Sequence, residues 1–303
     1  MGYKPNQLGR ALSMSRNNIK IGVILQGAET PFMKEVLKGI QEACAEVDNL
    51  GGTVLVHKIE HQNAEDVIFA MEKMRMEEVR GIAMVPLDEE RVKREIDRFV
   101  EEFRIPVVTF TSDVEDTKRL CFVGQNGVQC GRAAAGLMGE LTGGKGKVAV
   151  ISGYSTNTSL SSRVVGFREE IARKYPGIEI IGPEYCFEEN GRAREITEGI
   201  FKDVPDLDGI YLTSHGEEGV CEAIAGAGKA GRVKMVANDF MGRNYELMRE
   251  VYSFPDRAGC RIQGYEPVMI LFRLLFNGEA PERAKIFTEI YIRNEYTIPE
   301  GRH

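Results

Sequence analysis

Residues 19–40 read IKIGVILQGAETPFMKEVLKGI, and this stretch predicts a strand, a loop and a helix in direct succession. It opens with aliphatic, mostly β-branched residues, as in a parallel strand that is buried on both faces. The polar turn GAET follows, and Pro31 then stands where the first turn of a helix tolerates a proline. In an open α/β sheet, ligands bind in the loops at the carboxyl ends of the strands. The GAET loop is therefore the first candidate for a binding site.

The same arrangement begins again at Lys147, with KVAVISGYSTNTSLSSRVVGFREEI. Around these two copies, aliphatic runs alternate with amphipathic segments along most of the chain. Such alternation predicts right-handed crossovers and parallel sheets. The sequence therefore predicts an α/β protein with two Rossmann-like lobes, whose loops would face each other across a cleft. The last elements are predicted as a strand at 234–239, a helix near 241–252, a strand at 259–263, an apolar helix at 268–278 and a sheet-edge stretch TEIYIRNEYTI.

Length and composition exclude several classes of protein. The chain has 303 residues, 43% of them hydrophobic and 28% charged, as is usual for a soluble globular protein of this size. No apolar run approaches the ~20 residues of a membrane span, and the N-terminus lacks the apolar core of a secretory signal. The six cysteines show no CxxC spacing, which favours buried reduced thiols. We therefore expect a cytoplasmic protein that has no membrane partner.

The charge is unevenly distributed along the chain. The net charge is −7, yet residues 1–20 carry Lys4, Arg10, Arg16 and Lys20 and no acidic residue. The remainder is thus more acidic than the total, which argues against nonspecific nucleic-acid binding by the bulk of the protein. The basic N-terminal arm is a separate question.

No pattern of residues indicates catalysis or a cofactor. The glycines at 226, 228 and 231 match GxGxxG, but they precede a predicted strand, which is the reverse of the order in a dinucleotide site. They are better explained as a helix end and a turn. His57 and His61 lie on a predicted strand end without the glutamate of HExxH, and no GxSxG elbow is present. We therefore expect a protein that is not an enzyme and has no cofactor and no metal.

Polar and aromatic side chains recur at the ends of the predicted strands and in the loops that follow. Each alone could be a cap, a turn or a surface residue, but together they come from both halves of the chain. Aromatic rings that can face a sugar, with Asp, Arg and Gln to bind hydroxyls, suit a small polyhydroxylated ligand. These candidate ligand-binding residues are Gln26, Thr30, Phe32, Thr111, Ser112, Asp113, Arg163, Phe187, Ser214, His215, Asp239 and Gln263.

Residues 1–18 allow two interpretations. On composition alone they could be a disordered tail. Alternatively, GYKPNQLGRAL followed by IKIGVIL resembles the hinge of the lactose-repressor (LacI/GalR) family of transcription regulators, in which a DNA-binding headpiece leads into an effector-binding core. By this resemblance Leu12 is the leucine wedged into the minor groove of the operator, and Arg10 and Arg16 contact phosphates. The resemblance also implies that the headpiece is missing from this chain.

The resemblance extends over almost the whole chain. FVGQNGVQCGRAAAGLMGELTGGKGKVAVISG, SSRVVGF, the AND motif and RIQGY are similar to the type I periplasmic-binding-protein fold, above all to ribose-type sugar-binding proteins and LacI/GalR effector domains. By motif, Phe32 and Phe187 resemble the aromatics that stack on a sugar ring, and Arg163 resembles the arginine that clamps ring hydroxyls. Asp239 resembles the hydroxyl-binding aspartate and Gln263 the hinge glutamine.

Three places depart from the family's pattern, so the sequence specifies the fold better than the ligand. The usual Asp-Arg pair after the fourth strand is absent, as are the usual Asn-Asp pair after GIYLT and the usual Asp before Asn126. The residues found there instead are Thr111-Ser112, Ser214-His215 and Gln125.

The resemblance implies a two-lobed core with three crossovers, near residues 124, 263 and 289. We expect 19–124 plus 264–288 to form the N-terminal lobe and 125–263 plus 289–303 the C-terminal lobe. Residues 1–18 would be the hinge segment.

The expected function is effector sensing in a LacI-type transcription regulator. A monosaccharide or a derivative would close the cleft and shift a homodimer between states that can and cannot bind operator DNA. The alternative is a sugar-binding solute receptor of a transport or chemotaxis system, which has no role at DNA.

Overall fold

The computed structural model describes residues 19–59, 63–238, 251–254 and 257–292. The chain divides into two compact units. Unit 1 comprises Met1–Gly124 and Arg257–Thr288, and unit 2 comprises Gln125–Asp256 and Glu289–His303. The chain thus passes between the units three times.

Unit 1 is built on a parallel sheet. Its strands are β1 (Lys20–Gln26), β2 (Thr53–Ile59), β3 (Gly81–Met84), β4 (Val107–Phe110), β5 (Cys121–Gly124) and β11 (Lys285–Phe287). They form six strands in the order β11-β5-β4-β3-β1-β2. All the pairs are parallel, so the carboxyl ends of β1, β3 and β4 meet at one edge of the sheet.

Unit 2 repeats the plan with five strands. They are β6 (Lys145–Ser152), β7 (Gly177–Tyr185), β8 (Gly209–Leu212), β9 (Lys234–Asn238) and β10 (Val251–Phe254). The order is β10-β9-β8-β6-β7, and every pair is again parallel. The predicted α/β fold with two parallel sheets is confirmed.

The helices alternate with these strands. In unit 1 they are α1 (Pro31–Asn49), α2 (Ala64–Met76), α3 (Glu90–Glu101) and α8 (Arg257–Asn277). In unit 2 they are α4 (Gly127–Thr142), α5 (Thr158–Lys174), α6 (Asn190–Asp203) and α7 (Glu217–Gly226).

The sheet of unit 2 carries a separate apolar core on each face, because successive side chains of a strand point to opposite sides. Val148, Val150, Tyr211 and Val236 pack with residues of α4 and α5. The side chains at the alternate positions of these strands, Ile151 among them, pack with residues of α6 and α7. These strands therefore read as continuous apolar runs, as expected of a parallel sheet that is covered on both faces.

Glycines allow one pair of helices in each unit to pack at backbone contact. A Cβ on Gly39 of α1 would lie 2.0 Å from the carbonyl oxygen of Arg261 in α8. In unit 2, a Cβ on Gly131 of α4 would lie 2.0 Å from the carbonyl oxygen of Arg163 in α5. Only a residue without a side chain fits at such distances.

The structure corrects three of the predicted elements. The predicted strand at 259–263 is wrong, because these residues form the beginning of α8. Burial recurs there at Cys260, Gln263 and Pro267, which is a helical period. A proline inside the helix hid this pattern, since proline usually marks a helix end. As a result Gln263 belongs to unit 1, and the second passage between the units lies between Asp256 and Arg257 rather than near 263.

The helix predicted near 241–252 is also wrong at its end, because residues 251 and 252 belong to strand β10. Residues 241–250 lie outside the described residues. The predicted sheet-edge stretch from Thr288 is misplaced, because the strand β11 at that edge ends at Phe287 and residues 288–292 are not in a strand. Residues 293–298 lie outside the described residues.

Two further expectations are that the chain has no membrane span and that its cysteines are buried, reduced thiols. Within the described ranges no helix is both long and apolar enough to cross a membrane. The six cysteines are free thiols, and all are buried except Cys44, which is half-buried.

Candidate functional site

Gln26 ends strand β1 and is 4% exposed. Its Nε2 donates a hydrogen bond of 2.6 Å to the carbonyl of Val85, which lies just beyond the neighbouring strand β3. Its Oε1 is buried and accepts no hydrogen bond from the described part of the chain. Because a buried amide oxygen without a donor costs free energy, this oxygen suits a ligand that donates a hydrogen bond.

Thr30 and Phe32 lie where the loop after β1 enters α1. Thr30 is the N-cap of that helix, and its Oγ1 accepts from the Met33 amide at 3.3 Å and donates to the Gly27 carbonyl at 3.1 Å. The hydroxyl is thus used in capping, as is usual for threonine at this position. Phe32 is half-buried. Phe32, the second residue of α1, thus keeps a partly exposed ring that can contact a ligand.

Asp113 is held by groups of its own unit. Both of its oxygens accept from the Arg119 guanidinium, and Oδ1 also accepts from the Thr109 hydroxyl at 2.8 Å. The side chains of Asp113 and Arg119 are 11% and 8% exposed, so this is a buried, bidentate ion pair. Asp113 is predicted to bind a ligand, and in the structure its carboxylate also connects the loop after β4 to Arg119 and Thr109.

Thr111 and Ser112 precede this pair. Thr111 has a φ of 58°, a left-handed conformation that is uncommon for a β-branched residue, and it is 7% exposed. Ser112 is 1% exposed. Such strain is found where the surrounding structure fixes a loop, often at a functional site.

In unit 2, one face of the sheet turns polar at its carboxyl end. On the side of α4 and α5 the apolar strand positions give way to Ser152, Thr213 and Asn238. The Ser152 and Thr213 hydroxyls are 2.7 Å apart, and the Tyr211 hydroxyl donates to Asn238 Oδ1 at 2.7 Å. Asn238 Nδ2 is buried and donates no hydrogen bond to the residues that the structure describes.

Arg163, on α5, extends into this polar layer. It is 2% exposed. Its Nη1 donates to the Thr213 carbonyl at 2.6 Å and its Nη2 to Gln125 Oε1 at 2.9 Å. Two of its partners are therefore neutral oxygens that fix the plane of the guanidinium. A fixed guanidinium can donate two parallel hydrogen bonds to adjacent oxygens, the arrangement needed to bind vicinal hydroxyls.

Ser214 and His215 follow strand β8. Ser214 is 1% exposed, and His215 Nδ1 lies 2.9 Å from Oε2 of the buried Glu217. The same Oε2 accepts from the Gly216 amide at 2.9 Å, which holds the carboxylate in place. The hydrogen bond to Glu217, with Glu188 and Glu218 nearby, raises the pKa of His215 against the opposing effect of burial. Glu217 thus orients the ring and favours its charged form.

Two aromatic rings lie in the loops after β6 and β7. Phe187 is 47% exposed, has a φ of 54°, and lies 5.4 Å from the ring of Tyr154 with the planes tilted by 59°. Burial, together with the nearby carboxylates of Glu188 and Glu189, raises the pKa of the Tyr154 phenol. An exposed ring beside a neutral phenol provides an apolar surface with one hydrogen-bonding group.

The structure brings together only part of the predicted set. Gln26, Thr30, Phe32 and Thr111–Asp113 lie at the carboxyl edge of the unit 1 sheet, and Arg163, Phe187, Ser214 and His215 at that of unit 2. Gln263 does not end a strand: it is buried in α8, where its Nε2 donates to Thr288 Oγ1 at 3.4 Å. Outside the described residues lie Asp239, Leu12, Arg10 and Arg16.

Several site residues were missing from the prediction. Gln125 stands out in the sequence only as a departure from a family pattern, and no motif indicates Tyr154 or Glu217. The alternation of side chains along β8 and β9 could have pointed to Tyr211 and Asn238, because it places both on the same face as Thr213. The described residues contain no group of three or more His, Cys, Asp or Glu that could hold a metal ion.

Comparison with known proteins identifies the class. Residues 21–278 match the family described as periplasmic binding protein domain, so the chain belongs to that family. The solved structure of GanP, a glucose-galactose binding protein from Geobacillus stearothermophilus, has a TM-score of 0.83 and 22% sequence identity, over 93% of this chain and 99% of that one. The predicted periplasmic-binding-protein-like fold is thereby confirmed.

Two curated relatives are similar over most of their length. The D-allose-binding periplasmic protein of Escherichia coli (strain K12) is 24% identical over 227 residues, which cover 72% of this chain and 71% of the relative. The ribose import binding protein RbsB of Bacillus subtilis (strain 168) is 21% identical over 229 residues, covering 75% of this chain and 70% of the relative.

Proposed function

We propose that this chain is a sugar-binding receptor of the periplasmic-binding-protein class, which takes a monosaccharide or a close derivative. The observation that carries the proposal is Arg163, buried at the carboxyl end of the unit 2 sheet and oriented by the Thr213 carbonyl and the Gln125 amide. Ring hydroxyls accept hydrogen bonds from such a guanidinium, and the exposed ring of Phe187 offers an apolar surface for the face of a sugar. The residues of this site bind and orient a ligand, so we infer a binding protein rather than an enzyme.

The relatives support the same ligand class. The two curated relatives are named for binding D-allose and ribose, and GanP is named for binding glucose and galactose. These sugars differ in ring size and in the configuration of their hydroxyls. We therefore propose the monosaccharide class and not one particular sugar.

The biological setting is the finer part of the proposal. One curated relative is named as an import binding protein, which favours a solute receptor for transport. The second candidate is the effector-sensing core of a LacI-type regulator, a cytoplasmic homodimer that binds operator DNA through a further headpiece. The specific observation behind this candidate is the basic segment of residues 1–18, with its resemblance to a repressor hinge.

A thermal-shift series tests the ligand class. The purified chain is heated with D-allose, D-ribose, D-arabinose, D-glucose or D-galactose in turn. A sugar present at about 100 times its Kd should add about 2.7 kcal/mol to the free energy of unfolding, and each kcal/mol raises Tm by roughly 2–4 °C in units of this size. The shift should vanish in Arg163→Ala and persist in Arg173→Ala, which removes an exposed arginine from the same helix. Shifts with other metabolites but with none of the sugars would refute the proposal.

Deleting the gene distinguishes a solute receptor for transport from a transcription regulator. Loss of uptake of the radiolabelled sugar, with unchanged transcript levels of neighbouring genes, supports the solute receptor. Altered transcript levels, with uptake intact in a strain that expresses the transport genes from another promoter, support the regulator. Cell fractionation adds a second measurement, since the regulator is expected in the cytoplasm.

A further inference from the structure

We infer that Gln125 is the residue that positions Arg163 for its ligand. Gln125 Oε1 accepts the hydrogen bond from Arg163 Nη2 at 2.9 Å, and Gln125 is 7% exposed. The Cys130 thiol lies 3.7 Å from the same oxygen, which places it as a further donor. The inference rests on the proposed function, because it concerns the contact that Arg163 makes with a sugar.

The backbone that follows Gln125 is fixed within unit 2. Asn126, just after it, is the N-cap of α4, with Oδ1 accepting from the Gln129 amide at 3.1 Å. A side chain that starts from so fixed a backbone can hold its partner in one orientation.

The other end of the hydrogen bond is fixed as well. Gly131 of α4 lies against the carbonyl of Arg163, so close that a Cβ there would be 2.0 Å from the oxygen. The Arg163 backbone is therefore set by α4, the helix that Gln125 precedes. The remaining freedom of Arg163 is the rotation of its long side chain, and the Gln125 amide and the Thr213 carbonyl restrict that rotation from two directions.

A neutral amide restricts the Arg163 side chain differently from a carboxylate. Glutamine gives Nη2 an acceptor without forming a bidentate ion pair, which would occupy both of the nitrogens at the end of the fork. Gln125 therefore orients the guanidinium through one nitrogen. Removing the Gln125 side chain should weaken the hydrogen bonds between Arg163 and the sugar. The contacts that the sugar makes with other residues should be less affected.

The test is a cycle of variants and sugars. Affinities of the wild type and Gln125→Ala are measured by calorimetry for the sugar that binds most tightly among D-allose, D-ribose, D-arabinose, D-glucose and D-galactose. The same is done with each monodeoxy form of that sugar. Gln125→Ala should lower the affinity for the parent sugar about tenfold, as expected for a hydrogen bond to a charged group. For one deoxy form, which lacks the hydroxyl bound by Arg163, the loss should shrink at least fivefold, because the two changes remove the same interaction.

Control variants separate positioning from a general weakening of the fold. Gln129→Ala removes an exposed glutamine from the same helix start and should leave every affinity unchanged. Gln125→Glu places a carboxylate that can pair with both terminal nitrogens of Arg163, so it should not restore the affinity of the wild type. Gln125→Asn is the second variant should Gln125→Ala unfold. Equal losses for the parent and for all deoxy sugars would overturn the inference. A wild type that binds none of the sugars would refute the proposed function, and this inference with it.

Discussion

The loop after β4 in unit 1 and helix α5 in unit 2 each bury a charged side chain at the carboxyl edge of a parallel sheet, Asp113 in one and Arg163 in the other. Asp113 is bound through both oxygens by the guanidinium of Arg119. Arg163 is bound by the carbonyl of Thr213 and the amide of Gln125. Asp113 is thus paired with a group of opposite charge, whereas these two partners of Arg163 are neutral oxygens.

This difference indicates which of the two side chains stabilises its unit and which one binds a ligand. A carboxylate whose two oxygens are occupied by an arginine of its own unit has little capacity left for a ligand hydroxyl. Arg163 donates to the Thr213 carbonyl and to the Gln125 amide, and neither of these two partners carries a charge that would neutralise the guanidinium. We therefore expect Asp113 to act mainly on the stability of unit 1 and Arg163 mainly on ligand affinity.

The largest expected effect is that of Asp113→Ala. Removing one partner of a buried ion pair leaves an uncompensated charge, which costs about 3–5 kcal/mol of the free energy of unfolding. For a unit of this size the cost corresponds to a decrease in Tm of roughly 10 °C. Differential scanning calorimetry of Asp113→Ala, Arg119→Ala and the double variant measures it, and the double variant should be less destabilised than the sum of the two. A stable Asp113→Ala that no longer binds sugar would reverse the roles assigned to Asp113 and Arg163.

The glycines at the helix crossings provide a second comparison of stability and ligand affinity between the two units. Gly39→Ala and Gly131→Ala each place a Cβ 2.0 Å from a carbonyl oxygen, and we expect each to cost about 1–3 kcal/mol of stability. Only Gly131→Ala should also lower sugar affinity, since the carbonyl it meets is that of Arg163. Gly136→Ala is the matched control on α4, because a Cβ there meets nothing within 4 Å. Urea unfolding and calorimetric titration measure the two quantities, and equal affinity losses in Gly39→Ala and Gly131→Ala would contradict the assignment.

Most of the fold could be predicted from the sequence because its strands are aliphatic runs between amphipathic helices. The strand and the helix predicted within residues 19–40 are β1 and the first part of α1. The prediction failed at 259–263, where a short apolar stretch beside glycines and a proline resembles a strand. What decides the outcome there is the packing of α8 on α1, which requires Gly264 to approach the carbonyl of Val36. Contacts between residues so far apart in sequence leave no local pattern.

The candidate site was less predictable than the fold. Strand ends could be located, so Gln26 is correctly predicted at the end of β1, whereas Arg163 reaches the edge of its sheet from helix α5. Whether a polar side chain at such an edge serves the protein or a ligand depends on its partners, and Asp113 shows this because its partner lies six residues further on in the chain. Gln125 was noticed only as an unexpected residue, since nothing in its neighbours indicates that Arg163 reaches it.

Gln26 provides a comparison within unit 1, because its Oε1 accepts no hydrogen bond from the described residues whereas both oxygens of Asp113 do. Gln26→Leu should lower sugar affinity about tenfold if that oxygen accepts from a ligand hydroxyl. The free energy of unfolding should decrease by only about 1 kcal/mol, because the Val85 carbonyl loses its donor. Titration calorimetry with urea unfolding as the stability control measures both, and an unchanged affinity would remove Gln26 from the site.

The smallest expected effect concerns His215, an ionisable group of unit 2 that a buried carboxylate orients. The pKa of His215 is raised in the folded protein by its hydrogen bond to Glu217. A raised pKa means that folding favours the protonated ring, so the pair contributes its full stability below the unfolded value of about 6.5 and loses it as the pH rises through the folded pKa. The Tm difference between the wild type and Glu217→Gln should therefore be larger near pH 5.5 than near pH 8.5. A residual difference at the higher pH is expected because Glu217 also accepts from the Gly216 amide. Thermal unfolding of both proteins across this pH range checks the prediction. A Tm difference that does not change with pH would mean that Glu217 is hydrogen-bonded to a neutral His215 ring and does not form an ion pair with it.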